Sequence, residues 1–337
     1  MESLTSALQT AASESVREAI RAGAQILHKA GVANARLDAE VLLRDVLGIE
    51  QTEIALSMDE ALCATAEREF HYRLLRRAAR EPAAYITGRK EFWSLDFVVT
   101  PAVLIPRPET ELLVEMALAR ATIAPPHPSL SPVFGGEGKG EGAKDSGSGA
   151  FVYPKILDLG TGSGAIAVSL AKELAQARVC AVDISAAAIE IARLNARRLG
   201  VEERIEFFCG DLFGPLAEEG QSFDLIVANP PYIRSSDFAS LAPEIQKWEP
   251  IVALDGGADG LFYYRRIISV ARGYLRNGAR ILLELGDGMG EAVARLFADT
   301  GGFAPAQVYR DYAGKERVIT AAKLFPAADM REGSDHG

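Results

Sequence analysis

Cysteine and histidine are scarce in this chain. Three cysteines (Cys63, Cys180, Cys209) and four histidines (His28, His71, His127, His336) are scattered over 337 residues. With no CxxC pair, that spacing offers neither a disulfide framework nor a thiolate zinc site. It fits a reducing cytoplasm, and the scattered histidines leave no metal ligand set to expect. Long apolar runs are missing too: none approaches the roughly 18 residues that a membrane-spanning helix needs. The opening MESLTSALQTAASESVREAI carries acids early and has no continuous apolar stretch, so neither a secretory leader nor a membrane partner is expected. Positive charge is in deficit, with 36 Lys and Arg against 46 Asp and Glu, a net −10. A protein that grips a duplex through many phosphates usually shows a basic surface, so direct nucleic-acid binding is disfavoured. The densest basic run, Leu75-Arg-Arg-Ala-Ala-Arg80, is read as the solvated face of a helix.

At 48% hydrophobic and 24% charged residues, the rest of the composition is that of an ordinary globular protein, long enough for two compact units. Residues 14–85 read as helical. Val16, Ile20 and Leu27 repeat at helical spacing before Gly31, and Ala39, Leu42, Leu43 and Val46 before Gly48. A third helix is expected from about Asp59 to Arg80. From Phe92 the pattern changes: EFWSLDFVV and the run AVLI after Pro101 together predict a β-hairpin. A helix follows over Glu109–Arg120. Residues 125–149, PPHPSLSPVFGGEGKGEGAKDSGSG, cannot bury enough apolar surface to offset their ordering entropy and predict a disordered, functionally neutral insertion. Beyond it KILDL, RVCAVDI, IEFFC, FDLIVA and ARILLEL are short β-rich runs, the first three separated by helical stretches at 165–175 and 186–199. Such alternation predicts an α/β fold with a parallel sheet, helices on both faces and ligands at the carboxyl ends of the strands. The expected organisation is a helical domain over 1–86, a hairpin linker over 87–107, an α/β domain over 108–325 with the insertion at 124–150, and a frayed tail over 326–337, in a chain for which nothing demands more than a monomer.

The strand KILDL ends in Asp158-Leu-Gly160-Thr161-Gly162-Ser163-Gly164, directly before a helix. Glycines let the backbone of such a turn approach a ligand closely. A glycine-rich turn alone is weak, because dinucleotide enzymes use a similar one. The GxGxG spacing and the acid two residues ahead resemble the first motif of Rossmann-like methyltransferases, where the turn packs on the amino-acid part of S-adenosylmethionine. Asp183 ends the second strand, where a carboxylate can accept from both ribose hydroxyls. Capping of the next helix is the alternative, although Ser185 is the better N-cap. In the resembled family, Asp211 lies where the adenine amine is held, and Leu212 would cover the ring. Taken alone, Asp211 is equally an ordinary loop residue.

Asn229-Pro230-Pro231-Tyr232 follows the strand FDLIVA and carries the chemistry. An amide or aromatic amine nitrogen is a poor nucleophile because its lone pair is delocalised. The Asn229 side-chain oxygen and the Pro230 carbonyl can accept from both N–H bonds of a planar NH2 group and aim its lone pair at a sulfonium methyl. The prolines, Pro231 included, stiffen the loop, and the Tyr232 ring can stack on the target. No general base is needed, since the proton leaves a product that is already strongly acidic. Positioning supplies about 7–11 kcal/mol of such accelerations. A Pro-Pro turn that only ends a strand is the plain alternative. The motif accepts adenine N6 and a glutamine amide alike.

Further segments point to one family. Glu81-Pro-Ala-Ala-Tyr-Ile-Thr-Gly88, Glu91-Phe-Trp93, Ile105-Pro-Arg-Pro-Glu-Thr-Glu111, Glu249-Pro250, Asp259-Gly-Leu261, Leu283-Glu-Leu-Gly286 and Asp311-Tyr-Ala-Gly314 with Arg317-Val318 closely resemble the release-factor glutamine methyltransferases, in order, over about residues 14–325. The resemblance implies a Rossmann-like class I methyltransferase domain, a small N-terminal all-helical domain that docks the protein substrate, and a joining β-hairpin. It implies methylation of the glutamine in the Gly-Gly-Gln loop of peptide chain release factors, with S-adenosyl-L-homocysteine as coproduct. By position, Asn229 to Tyr232 would bind the amide, with Asn229 also beside the cofactor, while Gly160 to Gly164, Asp183, Asp211 and Leu212 would bind S-adenosylmethionine. The Pro106–Thr110 segment would wall the glutamine pocket. The chain departs from the family at Leu212, where relatives often carry an aromatic residue, and at Met289, where a polar one is expected. The runner-up is an adenine-N6 methyltransferase acting on nucleic acid.

Overall fold

A computed structural model of the chain describes residues 14–121, 154–216 and 220–326. The insertion expected at 124–150 and the tail beyond Pro326 lie outside those residues. The described chain falls into two compact units.

The first unit comprises the chain up to Lys90, residues 98–105 and residues 237–251. It holds α1 (Val16–Lys29), α2 (Ala35–Leu47), α3 (Gln51–Leu56), α4 (Ala64–Ala78), α5 (Ala83–Thr87) and α9 (Pro243–Trp248). Ser15 starts α1 with a reciprocal capping box: its hydroxyl accepts from the Glu18 N–H, and the Glu18 carboxylate accepts from the Ser15 N–H. Val16, Ile20 and Leu27, with Leu42 and Leu43, are buried as the helical periodicity marks out, and Ile54, Phe70 and Leu74 join the same cluster. The third helix begins at Ala64 rather than near Asp59, and residues 51–56 form a short helix of their own. Residues 237–251, placed by sequence within the α/β domain, belong to this helical unit.

The basic run 75–80 is not a solvated face. The Arg77 guanidinium is 6% exposed and donates to Asp38 at 2.7 Å and Glu244 at 2.9 Å; Arg80 reaches the other Glu244 oxygen at 2.6 Å. Arg76 holds Glu81 with two hydrogen bonds. Carboxylates from α2 and α9 turn the run inward.

The hairpin is also tighter than expected. Its strands are β1 (Arg89–Phe92) and β2 (Leu95–Val98), joined by Trp93 and Ser94 at φ 54° and 55°. Two successive positive φ values are the signature of a two-residue type I′ turn. AVLI, at 102–105, is therefore not the second strand.

The second unit comprises residues 91–97, 106–236 and 252 onward. Its seven-stranded sheet has the order β5-β4-β3-β6-β7-β9-β8. These are β3 (Lys155–Leu159), β4 (Arg178–Asp183), β5 (Ile205–Cys209), β6 (Phe223–Ala228), β7 (Leu275–Glu284), β8 (Gln307–Arg310) and β9 (Glu316–Ala322). β3 to β7 pair in parallel, whereas β9 runs antiparallel to both β7 and β8, so the sheet is mixed rather than wholly parallel. One apolar cluster joins α6 (Glu111–Ala121) and α7 (Ala165–Glu173) to the sheet through Leu113, Val168 and Val227. Another uses α10 (Phe262–Tyr274) and α11 (Gly290–Thr300) through Ile267, Phe297 and Ile226. Both faces are thus covered, which is why β3 and β6 read as mainly apolar runs rather than alternating ones. From β3 the chain builds outward through β4 and β5, then returns to place β6 on the other side of β3. That reversal is a topological switch point, where open α/β sheets form their ligand crevice.

Candidate active site

The parallel registers bring the ends of β3, β4, β6 and β7 side by side: Leu159 pairs with Val182 and Ala228, and Ala228 with Leu283. The residues that follow these ends are the ones the sequence singled out. In the glycine turn, the Gly160 and Thr161 N–H groups both donate to the Val182 carbonyl, at 2.8 and 3.0 Å. Gly160, Gly162 and Gly164 have φ of 74°, 56° and 81°. A Cβ on Gly160 would meet no protein atom within 4 Å, so its outer side is open to a ligand. At Gly164 the demand is different: a Cβ would lie 3.1 Å from Ala192 of α8 (Ala186–Arg198), so glycine permits close packing there. Asn195 of α8 donates to the Ser163 carbonyl at 2.9 Å and fixes the turn from below.

Asp158 is fully buried, and burial pushes its carboxyl up to about 7 against the opposing hydrogen bond from the Thr161 hydroxyl at 2.7 Å. Asp183 stands nearer the surface. It accepts from Gly162 N–H at 2.8 Å on one oxygen and Ser185 N–H at 2.9 Å on the other. Burial raises its carboxyl and these two donors oppose the shift. Each oxygen keeps a lone pair for a hydroxyl donor. Ser185, as expected, caps α8 by accepting from Ala188 N–H.

Asp211 is engaged by Arg266 of α10 through two hydrogen bonds, at 3.1 and 2.7 Å, so any adenine contact shares that carboxylate with the guanidinium. Leu212 sits at φ 50°, a left-handed conformation uncommon outside glycine. Ile184, which follows Asp183, leaves 54% of its surface exposed beside these loops, an apolar side chain the sequence reading passed over.

The Asn229–Tyr232 loop is held by a short ladder. Ile233 N–H donates to the Leu254 carbonyl at 3.0 Å, and Gly256 N–H returns to the Ile233 carbonyl at 2.8 Å. A Cβ on Gly256 would stand 2.7 Å from Tyr232 Cα, and one on Gly260 2.5 Å from the Tyr232 carbonyl. Glycine there is a requirement of backbone approach, which explains the Asp259-Gly-Leu261 motif in physical terms. The Tyr232 hydroxyl is pushed up to about 12 by burial first and the Glu284 carboxylate second, so the phenol stays neutral.

Two further residues complete the site: Thr110, expected only as part of the segment walling the glutamine pocket, and Glu284, which carried no role in the sequence reading. Asn229 Nδ2 donates to the Thr110 hydroxyl at 3.2 Å. Glu284, at the end of β7, is 2% exposed, and its carboxyl feels the Thr110 and Asn229 side chains. Burial pushes its carboxyl up to about 7, opposed by Thr110 and the Arg317 charge. An ionisable residue at the end of the apolar run ARILLEL is the signal that marks it.

Among the described residues no helix is long and apolar enough to cross a membrane. A family model described as the PrmC N-terminal domain matches residues 18–88, and one described as the methyltransferase small domain matches residues 150–245. The chain is 42% identical over 293 residues to the release factor glutamine methyltransferase of Geobacter sulfurreducens, covering 87% of this chain and 91% of that one. It is 41% identical over 306 residues to the protein of that name from Moorella thermoacetica, covering 91% and 98%. Among solved structures, the hMettl16 catalytic domain superposes with a TM-score of 0.50 at 13% identity, over 77% of this chain and 82% of that one, a likeness of fold alone.

Sheet order, glycine turn and these matches together define an S-adenosylmethionine-dependent methyltransferase, with a Rossmann-like class I domain behind a small N-terminal helical domain. Within that class, the chain belongs to the release factor glutamine methyltransferase family.

Proposed function

We propose that this protein methylates the side-chain amide nitrogen of the glutamine in the Gly-Gly-Gln loop of a peptide chain release factor. The observation that carries the reading is the orientation of Asn229. Its NH2 group is spent on Thr110, which leaves Oδ1 as an acceptor for a substrate N–H. The Pro230 carbonyl takes the second N–H, and the neutral Tyr232 ring supports the planar amide. S-adenosylmethionine, when bound, supplies an electrophilic methyl group on a sulfonium and leaves as S-adenosylhomocysteine. The amide nitrogen forms the N–CH3 bond as the S–CH3 bond breaks, and one amide proton passes to solvent.

The glycine turn fits the amino-acid end of the cofactor, because Gly160 leaves open the space a side chain would fill. Asp183 holds the ribose, while Leu212 and Ile184 flank the adenine whose amine reaches Asp211. Asp183→Ala is expected to raise the Kd for S-adenosylmethionine about tenfold or more, the value of a charge-assisted hydrogen-bond pair. Unchanged affinity in calorimetry would remove Asp183 from the cofactor site. The acidic net charge of −10 argues against adenine in nucleic acid as the target.

The reading is tested by methyl transfer from labelled S-adenosylmethionine to a purified release factor, its loop Gln→Ala variant and an adenine-containing duplex, with mass spectrometry placing the label. Label confined to the loop glutamine is expected. Label on the duplex, or on the Gln→Ala protein at the same rate, overturns it.

A further inference from the structure

We propose that Glu284 is a positioning residue that, with Thr110, fixes which end of the Asn229 amide faces the substrate. The inference rests on the glutamine-amide reading of the site. A carboxamide is nearly symmetric in shape, so packing alone does not decide whether Oδ1 or Nδ2 points at the ligand. The difference is decisive here. With Oδ1 outward, Asn229 accepts from the substrate NH2. With Nδ2 outward, two donors confront each other and the grip becomes a repulsion.

The surroundings supply a hydrogen-bond chain with one direction. Burial raises the Glu284 carboxyl to about 7, and above that value it is ionised and only accepts. The Thr110 hydroxyl has a single proton, and giving it to Glu284 leaves a lone pair to receive Asn229 Nδ2, found at 3.2 Å. Glu284 also follows the strand end paired with that of Asn229, Leu283 beside Ala228, so its carboxylate charge favours Nδ2 turned toward the protein side. Every part is anchored. Thr110 is 5% exposed at the start of α6, and the Glu284 carbonyl accepts from the buried Tyr264 hydroxyl at 2.6 Å. Among the described residues the second carboxylate oxygen, Oε2, has no hydrogen-bond partner, so packing requirements do not account for a carboxylate at this position. The charged and titratable groups that face it are Arg317 on β9, which favours the ionised form, and Glu109 and Tyr232, which oppose it.

The test uses the full-length protein, a release factor as methyl acceptor, and the near-isosteric variants Thr110→Val and Glu284→Leu, each built on wild-type and Asn229→Ala backgrounds. On the wild-type background each variant is expected to lower kcat by about tenfold to 100-fold, the usual loss when a partner that orients an active-site ligand is removed. The Kd for S-adenosylmethionine stays within about twofold, and Thr110→Ser, which keeps the hydroxyl, restores most of the rate. On the Asn229→Ala background neither variant costs anything further, because the group they orient is gone. Losses that recur at full size on that background, or Thr110→Val with wild-type kcat, overturn the relay. Wild-type protein that methylates no Gly-Gly-Gln substrate overturns the glutamine reading and the relay with it. Wild-type turnover with additive losses overturns the relay alone.

Discussion

Replacing Asn229 by alanine is expected to cut turnover on a release factor by about 100-fold or more, the scale found when a single preorganised polar contact to a reacting group is deleted. The cause is geometric. An amide nitrogen has no freely available lone pair, so the rate depends on holding the NH2 plane while the methyl group approaches along the S–CH3 axis. In the proposed reading Asn229 Oδ1 and the Pro230 carbonyl form that hold, and the alanine variant keeps only the backbone half. In the same reading, affinity for the cofactor rests on the glycine turn and Asp183, which are tied to each other by the Gly162–Asp183 hydrogen bond. The loss therefore falls on kcat while the Kd for S-adenosylmethionine moves by less than about threefold. Single-turnover rates and calorimetry separate the two quantities. Parallel losses in both would show that Asn229 serves the cofactor and would remove the gripping role.

Legibility of this fold in the sequence followed burial. β3 and β6 are covered on both faces, and their mainly apolar runs, KILDL and FDLIVA, announce them. β8 is a four-residue strand at the sheet edge with an exposed pattern, QVYR, and carries no such signal. The hairpin turn eluded sequence reasoning because Trp93 and Ser94 occupy positive φ where glycine and asparagine are the usual cue. Within the site, residues at strand ends were readable because their position is itself the signal: Gly160 to Gly164, Asp183 and Asn229 each follow a β-rich run. Thr110 lies in the expected pocket wall and Glu284 is marked only as an ionisable residue ending an apolar run; that the two meet Asn229 follows from α6 and β7 meeting β6, which nothing local foretells. The same holds for Arg77, whose countercharges lie 39 and 167 residues away in the chain.

Arg77 carries the largest stability effect expected in the helical unit. Its side chain is 8% exposed, against 17% for Asp38 and 16% for Glu244, so the three form a nearly buried ionic cluster rather than a surface pair. Removing the arginine strips Asp38 of this partner and leaves Glu244 to Arg80 alone, and breaking a buried pair in that way costs about 3–5 kcal/mol. Arg77→Ala is therefore expected to destabilise the helical unit by that amount, read as faster amide exchange in α1, α2 and α4 of the full-length protein. A loss under about 1 kcal/mol would reduce the cluster to an ordinary surface pair. The cycle with Glu244→Gln apportions the effect: coupling between Arg77 and Glu244 makes the double variant less unstable than the sum of the singles. Acid provides a second, independent reading. Burial alone would raise the Glu244 carboxyl, but hydrogen bonds from Arg80 and Arg77 hold it below its usual 4.5. A carboxyl lowered in the folded state contributes stability that is complete above 4.5 and disappears as pH falls through the folded value. The wild-type helical unit should accordingly lose protection in that acid window. Glu244→Gln, which has no charge to lose, should show a flatter profile there, and identical profiles would show that the Glu244 charge contributes nothing to folding.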